Sequence, residues 1–115
     1  MEVIPKNIQI FLSKSGICPF IEWIDALRDD RAKQKIIARL ARVRSGNLGN
    51  VNSVGEGVHE LKIDFGPGYR IYFGHQGEEV IILLCGGDKK TQDSDIKKAK
   101  IYWDEFKKEK NYANY

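Results

Sequence analysis

Three pieces of sequence decide the fold: Val58-His59-Glu60-Leu61-Lys62-Ile63, Tyr69-Arg70-Ile71-Tyr72-Phe73-Gly74 and Glu79-Val80-Ile81-Ile82-Leu83-Leu84-Cys85. Each is short, rich in β-branched and aromatic residues, and bounded by turn formers, so each reads as a strand. The connections Asp64-Phe65-Gly66-Pro67-Gly68 and His75-Gln76-Gly77-Glu78 have the length and residue types of antiparallel hairpin loops. Val80 to Leu84 shows no polar alternation, which predicts a central strand covered on both faces; Gly86-Gly87-Asp88 is read as its end.

Upstream, Ile8 to Leu12 alternates and reads as an opening strand. Pro19 suits a first helical turn, and Phe20, Trp23, Ile24 and Leu27 follow at helical spacing. Asp29 and Asp30 favour the start of a second helix running to about Arg44, with Ala32, Ile36, Leu40 and Val43 as its apolar face. Arg31, Lys35, Arg39 and Arg42 fall on an adjacent stripe. Gly46 to Gly57 reads as a turn-rich loop. Downstream, Asp93 to Lys108 reads as a last helix with Ile96, Ala99, Trp103 and Phe106 inward and Ile101 on the opposite side. The order β-α-α-β-β-β-α, with helices segregated from a mostly antiparallel sheet, is an α+β fold.

Length and composition fit one soluble domain spanning residues 1–115, with 42% hydrophobic and 30% charged residues. No apolar run approaches a bilayer span, and Met1 to Phe20 mixes Glu2, Lys6, Asn7, Gln9 and Lys14 among its apolar residues, unlike a signal peptide. Cys18 and Cys85 have no metal-type spacing and read as reduced cytosolic thiols; Cys18, just before Pro19, could be acidified at a helix N-terminus. The net charge of +3 permits a polyanionic partner without requiring one.

No conventional catalytic constellation is present. His59 and His75 carry no HExxH or paired Cys/His spacing, and P-loop, GxGxxG and GxSxG patterns are absent. What remains is basic side chains on a sheet. If the hairpin through Gly66 pairs Ile63 with Tyr69, then Leu61 faces Ile71, Lys62 lies opposite Arg70, and Glu60 lies opposite Tyr72. Directly opposed like charges destabilise a sheet, and an anion between them would remove the penalty. Lys89 and Lys90, beyond the central strand, approach the start of the Arg70 strand. Such cations could stabilise charge developing on a phosphate, and a lysine of lowered pKa could act on a 2′-hydroxyl. The same residues also read as a solvated sheet face paired with Glu60, a polar turn and a solvated helix stripe, with Tyr69, Tyr72 and Phe73 as packing. Residue chemistry alone leaves these alternatives open.

Glu60-Leu61-Lys62, Gly66-Pro67-Gly68-Tyr69-Arg70-Ile71-Tyr72-Phe73, Leu83-Leu84-Cys85-Gly86-Gly87-Asp88-Lys89-Lys90-Thr91-Gln92 and Asp95-Ile96-Lys97-Lys98-Ala99 resemble the RelE/ParE toxin superfamily. With Pro19-Phe20-Ile21-Glu22-Trp23, they resemble its HigB-like addiction module killer branch, over Phe11 to Lys108. The resemblance implies a RelE-like four-stranded sheet with two N-terminal helices and a C-terminal helix around an open basic cleft. It implies a type II toxin–antitoxin toxin that inhibits translation by ribosome-dependent, metal-independent cleavage of mRNA, the RNA's own 2′-hydroxyl attacking the neighbouring phosphate. By position, Arg70 would stabilise the transition state, with Lys62 and Lys89 as accompanying catalytic cations. Lys90, Gln92, Tyr72, Arg31, Lys35, Arg39 and Arg42 would contact RNA. No cofactor or metal is implied.

The expected partners are mRNA, the ribosome and a cognate antitoxin, a small helix-turn-helix protein through which alone operator DNA is reached; no membrane is involved and the location is cytoplasmic. RelE-type nucleases place a tyrosine early in the last helix, where this chain has Asp93-Ser94-Asp95 and no tyrosine before Tyr102, so the proton donor is unassigned. Lys90-Thr91 replaces the small serines of the branch, and the tail Lys110 to Tyr115 has no counterpart. Two rivals share the fold: a ParE-like toxin that binds DNA gyrase, and a non-toxic module retained as the antitoxin's partner. Ile101 is a candidate antitoxin anchor.

Overall fold

A computed structural model describes residues 4–115; Met1, Glu2 and Val3, which open the segment compared above with a signal peptide, lie outside the described residues. The chain runs β1 (Asn7–Phe11), α1 (Pro19–Ala26), α2 (Asp30–Arg44), β2 (Val51–Gly55), β3 (Val58–Ile63), β4 (Tyr69–Gln76), β5 (Val80–Asp88), α3 (Gln92–Glu109) and β6 (Tyr112–Asn114). The sheet order is β2-β3-β4-β5-β1-β6, with β1 parallel to β5 and the other pairs antiparallel. The hairpin through Gly66 has the expected register, with Ile63 opposite Tyr69, Lys62 opposite Arg70, Leu61 opposite Ile71 and Glu60 opposite Tyr72.

The α+β class therefore holds, but the sheet has six strands rather than four. Within the expected Gly46–Gly57 loop, Val51–Gly55 pairs with β3 through a tight turn at Glu56-Gly57, both at positive φ (55° and 84°). Such a turn matches the twist of a hairpin, and glycine adopts it without a Cβ penalty. The sixth strand follows Lys110, whose left-handed conformation ends α3 and turns Tyr112–Asn114 back along β1. β5 is also longer than expected, because Gly86-Gly87 does not end it. A Cβ on Gly86 would collide with the Trp23 ring, and one on Gly87 with Asp95 and Thr91. These glycines let α1 and α3 close on the strand.

Each face of the sheet is covered, as the unbroken apolar run of β5 requires. Phe20 of α1 and Ile36 and Leu40 of α2 pack with Ile71, Ile81 and Leu83; Ala99, Trp103 and Phe106 of α3 pack with Val58, Tyr72, Ile82 and Leu84. A register shift between Tyr72 and Phe73 turns both Leu84 and Cys85 into the α3 layer. Asp29 caps α2, its Oδ1 accepting from the Arg31 and Ala32 amides at 2.9 and 3.3 Å.

Candidate functional site

Glu60 and Lys62 of β3 and Arg70 and Tyr72 of β4 share the α3 side of the sheet, near the start of α3. Glu60 is the hub. Its Oε2 accepts from Tyr72 Oη at 3.0 Å and from Gln92 Nε2 at 2.8 Å, and lies 3.6 Å from Arg70 Nε. The carboxylate is 3% exposed and the arginine 8%. Arg70 Nη1 donates to the Gly68 carbonyl at 2.9 Å, so the guanidinium is held at two points; Nη2 carries neither contact. The Nε proton is buried without hydrogen-bond geometry to any acceptor.

This arrangement corrects three expectations. Arg70 does not stand on an open face: it is buried, and Glu60 supplies the anion that the opposed Lys62 and Arg70 charges demanded. Tyr72 is fully buried and cannot stack on RNA; burial, then the Glu60 carboxylate, push its phenol far above the usual range. Gln92 is half-buried and spends its amide on Glu60. Lys62 remains exposed.

Lys89 and Lys90 lie in the exposed turn after β5, where Asp88 Oδ1 accepts from the Lys90 and Thr91 amides at 2.9 and 3.2 Å. Asp88 pairs with Tyr69, so the turn sits at the start of the Arg70 strand, as the hairpin topology predicts. Thr91 in turn donates to the buried Asp95 carboxylate, a link not legible beforehand because both residues look like ordinary cap residues.

A groove of about 710 Å³ runs between α2 and the end of β3, lined among others by Lys35, Arg39, Arg42, Asn50, Lys62 and Phe65. Within the helical stripe, Arg31, Lys35 and Arg42 are exposed, but Arg39 is buried. It donates to the Asn47 and Leu48 carbonyls and so closes the chain after α2; burial, then Arg42, lower its pKa. A role for Arg39 as a solvated RNA contact is thereby corrected to one as a loop clasp.

Cys18 is the N-cap residue of α1, and burial pushes its pKa up, against the acidification that a helix N-terminus could give. The Cys85 thiol is pushed up to about 12, first by burial and then by Asp95. His59 and His75 meet edge to face at 5.1 Å, against Phe73. Their contact follows from the His59–Phe73 register and the period of two along β4, a signal present in the sequence. Among the described residues, no three His, Cys, Asp or Glu side chains converge as a metal site needs, and no helix is long and apolar enough to cross a membrane.

Fold and site define a small α+β protein with cations gathered at one end of a sheet face and along a neighbouring groove. The chain belongs to the phage-derived Gp49-like (DUF891) family, whose model matches residues 22–107; the family is RelE-type and associated with toxin–antitoxin toxins. It is also similar to an uncharacterized protein of Haemophilus influenzae, 52% identical over 82 residues that cover 71% of this chain and 83% of the relative.

Proposed function

We propose that the protein is the toxin of a type II pair and a ribosome-dependent mRNA endoribonuclease that works without metal, as expected of the HigB-like branch. One observation carries the reading: Lys62 and Arg70 occupy paired positions on neighbouring strands, and the turn bearing Lys89 and Lys90 follows directly on Asp88, the partner of Tyr69. Three cations around one phosphate suit a reaction whose difficulty is charge. The 2′-oxygen bonds to the adjacent phosphorus and the bond from phosphorus to the next 5′-oxygen breaks, leaving a 2′,3′-cyclic phosphate and a 5′-hydroxyl. The 2′-hydroxyl gives its proton to solvent and the leaving oxygen takes one back. Arg70 Nη2, Lys62 and Lys89 stabilise the extra charge on the phosphorane. Lys90 and the exposed Arg31, Lys35 and Arg42 hold flanking phosphates. A small helix-turn-helix antitoxin neutralises the toxin in the cytoplasm.

The test is cleavage of ribosome-bound mRNA carrying one 2′-deoxynucleotide at the cut site. Cleavage should stop there, while the all-ribose message gives cyclic phosphate ends. Continued cutting at the deoxy position, leaving 3′-hydroxyl ends, would overturn the mechanism. A second reading, a ParE-like toxin that binds gyrase, gains from one observation: Arg70 is already paired with a buried carboxylate. Inhibition of gyrase supercoiling without any RNA cleavage would establish that reading instead.

A further inference from the structure

Tyr72, the ring expected to meet RNA, is buried, and the aromatic wall of the basic groove is Phe65. It stands in the β3–β4 loop, three residues after Lys62, and the loop fixes its main chain at both ends. The Phe65 amide donates to the Ile63 carbonyl, and the Phe65 carbonyl accepts from the Gly68 amide, both at 3.0 Å. The side chain packs against the core on the α1 and α2 side of the sheet, yet the residue stays half-buried. It stands between two openings. One is the groove of about 710 Å³ beside Lys62; the other is a hollow of about 570 Å³ beside Arg31, and Lys35 and Ala38 line both with it.

One face of the ring looks out under Lys35, whose ammonium lies 5.9 Å from the ring centroid. That is the outer reach of a cation–π contact, about 6 Å. Lys35 is exposed on a flexible stem, so its cation can leave the ring at little cost. Along the groove, Lys35, Arg42 and Lys62 are exposed cations against one carboxylate, Asp64. Such charge suits a polyanion, but an aromatic face does nothing for a phosphate. It serves a flat ring carried between phosphates, and single-stranded nucleic acid presents that combination.

We infer that Phe65 is a base-stacking residue. One nucleobase of single-stranded RNA lies on its ring in place of the Lys35 ammonium, and Lys35 and Arg42 turn to the flanking phosphates. The stacked nucleotide then sits next to the phosphate at Lys62. The inference rests on the reading that the chain binds RNA, and it does not require cleavage. Because every base has a π-face, stacking fixes where a nucleotide sits rather than which one it is.

The probe is fluorescein-labelled hexauridylate, 2′-O-methylated throughout so that it cannot be cut, beside the same backbone without bases. By fluorescence anisotropy the parent should bind hexauridylate about tenfold more tightly than the base-free backbone. Phe65→Leu should weaken hexauridylate about tenfold and leave the base-free backbone unmoved, whereas Phe65→Trp should keep the parent's preference. Irradiating the parent with 5-iodouridine in the hexamer should crosslink Phe65, a readout that needs no folded variant. Equal affinity of the parent for both ligands would overturn the inference. So would an equal loss for both ligands in Phe65→Leu, crosslinks that miss Phe65, or tighter binding of hexaglutamate, which would give the groove to an acidic protein segment. Ribosome-bound mRNA left uncut by a parent that still prefers hexauridylate would remove the nuclease reading and leave the stacking; cleavage without that preference would do the reverse.

Discussion

Glu60 and Arg70 hold each other diagonally across β3 and β4, with the carboxylate Oε2 3.6 Å from the guanidinium Nε and both residues buried. Diagonal neighbours on a sheet face are within reach of long side chains. The same carboxylate oxygen gathers Tyr72 and Gln92, so a single acid anchors β4 and the start of α3 beneath the proposed phosphate site. Charge alternates along the face, from Glu60 to Arg70 to the exposed Lys62. On the proposed function, a phosphate would meet an arginine already oriented, and would draw on Nη2 without displacing Glu60.

Arg70→Ala should consequently cost stability as well as activity. It leaves a buried carboxylate without its countercharge, a loss of about 3 kcal/mol, or roughly 10–20 °C in Tm. Glu60→Gln combined with Arg70→Gln, which removes both charges, should regain more than half of that. Thermal melts of the two variants decide the matter: a single alanine variant melting within two or so degrees of the parent would mean the pair contributes nothing. Growth arrest lost in Arg70→Ala speaks to catalysis only beside such a melt.

Two arginines of one helical stripe should behave differently. Arg39 closes the Asn47 and Leu48 carbonyls, whereas Arg42 is exposed. Arg39→Ala should destabilise by about 2 kcal/mol, by orphaning carbonyls and removing buried stem packing. Arg42→Ala should stay within about 0.5 kcal/mol. Denaturant midpoints measure both, and equal midpoints would refute the loop clasp.

The difference between those arginines marks where sequence reading ran out. A helical wheel groups Arg39 with Arg42, yet Arg39 is also three residues from Ile36 and four from Val43, at the border of the apolar face, and only the course of Asn47–Gly49 decides which way it turns. β3, β4 and β5 were legible to the register because alternation and a short hairpin constrain each other. Val51–Gly55 and Tyr112–Asn114 were not, since edge strands need few apolar residues and theirs are half exposed. Lys62 opposite Arg70 was legible as a pair of positions; the burial of Arg70 was not, because it depends on Glu60, its partner on another strand, being held in turn by Gln92 of a helix distant in sequence.

The His59–His75 contact predicts how stability responds to acid. Burial, then His59 and Lys6, hold the His75 pKa below the ordinary imidazole value. The folded protein therefore binds this proton less readily than the unfolded chain. Stability from the neutral ring is complete above the unfolded value of about 6.5 and declines as pH falls below it toward the folded pKa. Tm should drop between pH 7 and pH 5, and His75→Gln should flatten that part of the profile. An unchanged slope in the variant would place the acid sensitivity elsewhere.

Lys62 separates chemistry from binding. Its side chain is exposed, and its structural bond to Asn50 is made by the main chain, so Lys62→Ala should leave Tm unchanged. If Lys62 stabilises the phosphorane, the loss appears in kcat, by about 10²-fold. Lys89→Ala should act in the same direction more weakly, since it sits on an exposed turn whose geometry is set by Asp88 rather than by the sheet. Lys35→Ala and Arg42→Ala, in the groove, should instead raise KM and each lower the slope of log affinity against log salt by about one, with kcat unchanged. Cleavage rates of ribosome-bound mRNA across a salt series distinguish the two groups. Should all four variants change KM alike and leave kcat intact, the sheet cations would be part of a uniform polyanion-binding face, and the chemistry assigned to Lys62 and Lys89 would fail.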